Sequence, residues 1–125
     1  MQSLSHPEPM TQMRAVYLLG AKKTTQAVGA LAELFRRTSN PFLKSEVVEA
    51  VAKIGGESAC SLLMEALQDL SFIVRAEVFS AMSKFSDRNL VERAVEHALN
   101  DPSSFVCDMA REAIDSLESA NQKKG

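Results

Sequence analysis

Residues 43–54 of the chain read LKSEVVEAVAKI, and this stretch matches residues 74–85, VRAEVFSAMSKF, without a gap. A third copy, VCDMAREAIDSL, occupies residues 106–117. The shared apolar positions recur at steps of three or four residues, which places them on one face of an α-helix. The stretch therefore predicts an amphipathic helix that is repeated along the chain. The predicted core columns are Leu43/Val74/Val106, Val47/Val78/Ala110, Ala50/Ala81/Ala113, Val51/Met82/Ile114 and Ile54/Phe85/Leu117.

A second family of helices lies between the copies of the first. Residues 63–69, LMEALQD, match residues 95–101, VEHALND, and residues 31–37 form an earlier member. A degenerate copy of the first family precedes them all, around Ala15 and Val16. We call the first family the A helices and the second family the B helices. Their regular alternation is typical of an α-solenoid, in which helical hairpins stack in a row.

The residues that begin and end helices agree with this alternation. Asn40 and Asp101 each precede a proline, so each is predicted to cap a helix N-terminus, and Ser71 and Asp87 are further candidates. Three glycines follow apolar helix ends, where a left-handed residue is common: Gly20, Gly55 and Gly56. We predict seven helices, over residues 8–19, 24–37, 41–54, 57–68, 72–85, 88–99 and 102–118.

The predicted fold class is all-α, since no stretch shows the period-two alternation of a strand for more than a few residues. A chain of 125 residues is the size of one ordinary domain, which we place at residues 7–118. Residues 1–6 are expected to be a disordered arm and residues 119–125 a polar tail. A plain helical bundle is the structural alternative, but a bundle does not require a repeated register.

The repeats resemble the HEAT-like repeats of the phycobilisome-lyase type. The A-helix motif of that family matches VRAEV at residues 74–78, its B-helix motif matches residues 63–69, and the resemblance covers residues 10–118. It implies a short right-handed HEAT/armadillo-like solenoid of about three and a half hairpins. Two A-helix copies depart from the pattern, because Lys44 and Cys107 replace the arginine of the family. The resemblance implies that Arg75, with its partner aspartates, ties neighbouring repeats together.

Catalytic and metal-binding patterns are not found in the sequence. Related HEAT-like hydroxylases of the deoxyhypusine type hold two metal ions through repeated His-Glu steps, whereas this chain has only His6 and His97. Cys60 and Cys107 are far apart and have no basic neighbour that would mark a reactive thiolate. Paired glutamates such as Glu46 and Glu49 are interpreted as solvated charge. We expect no enzymatic activity, no cofactor and no metal ion.

Composition narrows the classes of partner. The formal net charge is −2, and the acidic residues concentrate after residue 45, which argues against nucleic acid as the main partner. A HEAT-like DNA glycosylase would use a basic groove with aromatic residues, but this chain has no Trp and one Tyr. No apolar run is long enough to cross a bilayer. We expect a cytoplasmic protein that does not enter membranes.

The predicted binding surface lies on the B helices, which we expect to line the concave side of the stack. If the columns Leu31/Leu63/Val95 and Phe35/Leu67/Leu99 form the core, the helical wheel places a polar strip opposite them. We call this surface the B-helix strip. Its predicted residues are Gly29, Glu33, Arg36, Ser61, Met64, Glu65, Gln68, Arg93, Glu96, His97 and Asn100.

A second candidate surface lies on the first helix, where Met10, Met13 and Tyr17 add apolar bulk. It is expected to be covered by the N-terminal arm or by a second copy in a homodimer. The overall hypothesis is a non-catalytic adaptor, scaffold or regulatory subunit that binds another protein. The resemblance also leaves open a subunit or chaperone of a bilin lyase-like system, which would bind a tetrapyrrole.

Overall fold

The computed structural model describes residues 9–22 and 25–124, and within these ranges the chain forms seven α-helices and no strand. The predicted all-α fold is confirmed, and each predicted helix is present. The A helices are α1, α3, α5 and α7, and the B helices are α2, α4 and α6. Their bounds are α1 Pro9–Lys22, α2 Thr25–Arg37, α3 Pro41–Ile54, α4 Glu57–Ala66, α5 Phe72–Phe85, α6 Arg88–Ala98 and α7 Ser104–Lys124.

The helices form a linear stack of two rows. The largest contacts join successive A helices, α1 with α3, α3 with α5 and α5 with α7. Each B helix packs against the A helices next to it, and the contact between B helices α2 and α4 is smaller. Hairpins that contact mainly their neighbours define an α-solenoid.

The predicted core columns lie in the interior of the stack. Leu43, Val74 and Val106 are almost fully buried, and so are Val51 and Met82. Burial of apolar surface at each of these positions is the main source of stability, at about 25 cal/mol per Å². The last column departs from the prediction, because Ile54 and Leu117 are half-buried and Phe85 is exposed. Ile54 and Phe85 are the last residues of α3 and α5, where the neighbouring row no longer covers them, whereas Leu117 lies within α7.

Ion pairs connect the start of an A helix to the turn after a B helix. The Nζ atom of Lys44 lies 2.6 Å from Oδ1 of Asp69, and Nε of Arg75 lies 2.9 Å from Oδ2 of Asp101. Arg75 also donates to the backbone oxygens of Asp69 and Leu70. The arginine therefore joins two successive turns, as the resemblance implied.

The carboxyl group of Asp101 responds to this contact. Desolvation, the largest single influence, raises its pKa, but the hydrogen bond from Arg75, the backbone N–H of Ser103 and the positive charge of Arg75 together lower it. Asp101 is therefore used as an anion in a partly buried ion pair. After α4, Asp69 forms the corresponding contact with Lys44.

Gly20 does not end the first helix, and this prediction was wrong. Helix α1 continues through it to Lys22, and a Cβ atom at Gly20 would lie 2.8 Å from the Cβ atom of Ala50. The glycine allows α1 and α3 to approach closely. Gly55 and Gly56 do lie at the α3 end, with φ angles of 75° and 93°, as predicted.

The predicted helix caps are confirmed in part. The side chain of Asn40 accepts hydrogen bonds from the N–H groups of Phe42 and Leu43, and Asp87 accepts one from Leu90. Ser71 occupies an N-cap position, but its side chain makes no capping hydrogen bond.

Asp101 does not cap α7, because its carboxylate is engaged with Arg75 and with the N–H of Ser103. The Oγ atom of Ser103 accepts from the N–H of Val106 instead, so the helix begins two residues later than predicted. Helix α7 also runs on to Lys124, where a polar tail was expected. The arm predicted at residues 1–6 lies outside the described residues.

Within the described part of the chain, no helix combines the length and the apolar character needed to cross a membrane.

Candidate functional site

The B-helix strip is a continuous polar surface on α2, α4 and α6. Its residues lie on the side of these helices opposite the core, as the helical wheel predicted. All are exposed except Met64, which is half-buried and packs against the core. His97 is one of the exposed residues, which agrees with its interpretation as a surface histidine.

The strip is held in place between α2 and α4 by a two-pronged ion pair. The Nε and Nη2 atoms of Arg36 donate to the two carboxylate oxygens of Glu65 at 3.0 and 2.8 Å. The hydrogen bond from Arg36 lowers the pKa of Glu65, and the same bond raises the pKa of Arg36. Planar guanidinium and carboxylate groups that pair in this way have a defined orientation. The pair therefore links α2 to α4 across the strip.

The strip on α6 has a different character. Arg93 forms no ion pair with any residue that the structure describes, and Glu96, His97 and Asn100 are exposed beside it. The strip thus offers an internally paired section on α2 and α4 and an unpaired, mixed-charge section on α6.

The curvature assigned to this surface stays a prediction. Helices on the inner side of a curved stack lie nearer one another than those on the outer side. The closer contacts along the A row therefore argue against a concave B-helix side, whereas the exposure of the strip does not depend on curvature.

A cluster of carboxylates on the A helices was not predicted from the sequence. Glu77 on α5 lies near Glu49 and Glu46 on α3, and we call these three residues the carboxylate cluster. Partial burial and the charges of Glu49 and Glu46 raise the pKa of Glu77 to about 7, and the positive charge of Lys84 offsets this rise only in part. Burial and the charge of Glu49 also raise the pKa of Glu46. The interpretation of Glu46 and Glu49 as plain solvated charge was therefore incomplete.

Basic and aromatic side chains border the carboxylate cluster. The Nζ atom of Lys53 lies 5.5 Å from the ring centre of Tyr17 and 5.8 Å from that of Phe85. Lys84 contacts Glu49 at 3.5 Å. The repeat alignment could have located this surface, because Glu46 and Glu77 occupy the same position in successive A helices. Their proximity across two helices was the missing information.

The structure tests only part of the predicted self-association surface. Tyr17 is 62% exposed, whereas Met13 is half-buried and packs against the core. The side chain of Met10 lies outside the described residues. Dimerisation through this helix stays a prediction.

Among the described residues, no group of three or more His, Cys, Asp or Glu side chains is arranged to hold a metal ion. Cys60 and Cys107 are free and half-buried. The thiol of Cys107 contacts the backbone oxygens of Ala98 and Asp101. This contact fits a packing role between α6 and α7.

Comparison with known proteins agrees with the architecture. The family described as HEAT repeats matches residues 1–83. No curated protein matches the chain significantly.

One solved structure with the same fold is that of human deoxyhypusine hydroxylase in complex with glycerol, with a TM-score of 0.83 and 23% sequence identity. The match covers 99% of this chain and 44% of the hydroxylase, so this chain spans less than half the length of that structure. At this identity the likeness shows the fold alone. Because the repeat match extends over well over half of its residues, the chain belongs to the HEAT repeat family.

Proposed function

We propose that the chain is a non-catalytic protein-interaction module that binds a segment of another protein along the B-helix strip. HEAT repeats in general mediate contacts between proteins, and the observation that carries the present proposal is the strip itself. Its polar side chains continue over three successive helices whose opposite faces are buried in one core. A rigid scaffold with a continuous exposed surface suits an extended or helical ligand.

The charges of the strip indicate which charged groups a ligand would carry. The charges of Arg36 and Glu65 are paired with each other, so this section of the strip would contribute its shape and its hydrogen-bonding groups to ligand binding. Arg93 carries a charge without an ion-pair partner among the described residues, and Glu96 lies three positions later on the same helix. We infer a ligand segment with one acidic and one basic side chain placed to meet Arg93 and Glu96.

A second binding face is favoured by a specific observation. The carboxylate cluster, together with Lys53, Tyr17 and Phe85, lies on the A row, whose closer packing suits the inner side of a curved stack. Inner surfaces of solenoids are common ligand sites. The A row is therefore the alternative location for the same function.

The test compares charge reversals on the two faces. Immobilised protein is incubated with native lysate, and the captured proteins are quantified by mass spectrometry. The doubly substituted Glu65→Arg, Arg93→Glu form is expected to lose at least tenfold of a specifically captured protein. A matched control is Glu57→Arg with Arg88→Glu, which changes exposed residues on the same two helices outside the strip.

The outcome separates the alternatives. Unchanged capture by the strip variant, with loss of capture by Glu46→Arg, Glu49→Arg, would move the site to the A row. Unchanged capture by both variants would contradict the proposal that either polar face binds the partner.

A further inference from the structure

An apolar groove is open at the C-terminal end of the stack, between α6 and α7. It encloses about 260 Å³, and we call it the end groove. Apolar side chains predominate in its lining, and Arg111 is the exception. The lining residues are Val95, Ala98, Leu99, Cys107, Ala110, Arg111 and Ile114.

The equivalent groove two repeats earlier in the stack, between α2 and α3, is filled. Helices α2 and α3 correspond to α6 and α7, and α4 packs against both of them. The groove residues there are fully covered, as shown by Leu31, Val47 and Val51. The molecule itself therefore shows which kind of segment fits this groove, namely an amphipathic helix of the B type.

The side chains of the end groove retain the apolar character of the filled groove. Leu99 occupies the position of Phe35 and Leu67, which are 4% and 8% exposed, but Leu99 is 71% exposed. Its prediction as a core residue was wrong because no helix lies over it in the described chain. Exposed leucine in an apolar groove is a common feature of helix-binding sites.

Arg111 gives the end groove a charge preference. It replaces the buried Val48 and Phe79 of the earlier repeats, and it forms no ion pair with any described residue. Helix α4 carries Glu57 and Glu65 and no basic residue. An acidic helix of this composition complements the groove better than a basic one does.

We propose that the end groove binds an amphipathic helix of a partner protein, with alanine and leucine at positions i, i+3, i+4 and i+7 and a net acidic charge. The spacing is that of the buried face of α4, formed by Ala59, Leu62, Leu63 and Ala66. This site is distinct from the B-helix strip, so the proposal does not depend on the function assigned to the strip.

The experiment uses the full chain with labelled methyl groups and follows its NMR spectrum. The probe is a synthetic peptide with the sequence of residues 57–69, crosslinked on its polar face, because a free helix of this length is marginal in water. Saturable shifts are expected at the methyl groups of Val95, Leu99 and Ile114. A peptide with aspartate in place of Leu62 and Leu63 is expected to cause none.

Variants of the chain sharpen the test. Leu99→Glu is expected to weaken peptide binding at least tenfold and to leave the fold intact, since Leu99 is already exposed. Leu70→Glu is the matched control, because Leu70 is fully exposed and lies outside the groove.

Equal affinity in the Leu99→Glu form, or shifts confined to other surfaces, would overturn the proposal. Shifts at Leu99 that follow protein concentration without any peptide would instead assign the groove to a second copy of the chain and would likewise overturn it.

Discussion

The side chain of Leu67, at the end of α4, is buried in the middle of the stack, whereas Leu99, at the equivalent position after α6, projects into solvent. The same contrast holds on the A helices, where Phe79 of α5 is fully buried and the equivalent Arg111 of α7 is exposed. Sequence equivalence in a repeat protein therefore defines the position of a side chain, but the presence of a neighbouring repeat decides its burial.

Interior positions contribute through apolar burial and are sensitive to lost volume, whereas end positions tolerate polar residues. The same exposure makes the end available for binding. Substitutions at equivalent positions measure this difference most directly.

The largest expected effect is at Phe79. Phe79→Ala removes a fully buried ring and is expected to lower the free energy of unfolding by about 3–4 kcal/mol. Arg111→Ala, at the equivalent end position, is expected to change it by less than about 0.5 kcal/mol. Urea unfolding followed by circular dichroism measures both. Equal costs at the two positions would show that the interior and the end are not distinct.

The next effect concerns the ion pair between repeats. Arg75→Ala leaves the nearly buried carboxylate of Asp101 without its guanidinium partner and is expected to cost about 2–3 kcal/mol. The control is Arg88→Ala, which breaks an exposed pair with Glu92 and is expected to cost about 0.5 kcal/mol or less. If Arg75→Ala lowers the free energy of unfolding no more than the control does, Arg75 does not stabilise the junction between the repeats.

A smaller effect is expected where α1 meets α3. Gly20→Ala places a Cβ atom 2.8 Å from that of Ala50, and this overpacking is expected to cost about 1–2 kcal/mol. Gly29→Ala is also a substitution within a helix, but nothing lies within 4 Å of the added Cβ atom. It is expected to stabilise the fold by about 0.5–1 kcal/mol because alanine favours helix. Thermal unfolding of both variants shows whether each substitution stabilises or destabilises the fold. Stabilisation by Gly20→Ala would contradict the close approach of α1 to α3 at Ala50.

The smallest effect is a pH dependence at the carboxylate cluster. The pKa of Glu77 in the fold is about 7, against a reference value of 4.5. The stability that this raised pKa provides is complete below about pH 4.5 and is lost as the pH rises through about 7. Glu77→Gln cannot ionise, so it is expected to be more stable than the parent by about 1 kcal/mol at pH 8, after allowance for solvent screening, and equal to it near pH 4. A gain of the same size at both pH values would exclude ionisation as the cause.

The sequence was sufficient to predict the helices, most of the core columns and the exposed B-helix strip, because these follow from periodicity within one helix or from the repeat register. It was not sufficient where two distant segments meet. Gly20 was interpreted as a helix end because its contact with Ala50 is tertiary. Asp101 was interpreted as a cap because its ion pair with Arg75 spans 26 positions.

The carboxylate cluster and the end groove were missed for related reasons. The raised pKa of Glu77 requires the distance from α5 to α3, which the repeat pattern does not give. The exposure of Leu99 depends on what lies beyond it in the stack, and no local pattern encodes that.

Hydrogen exchange of the backbone amides under native conditions tests whether the described helices form a linear stack whose middle helices are the best covered. The highest free energies of opening are expected in α3 and α5, with values that fall toward α1 and along α7. A single free energy of opening shared by all the helices, as in a bundle that unfolds as one unit, would contradict this expectation.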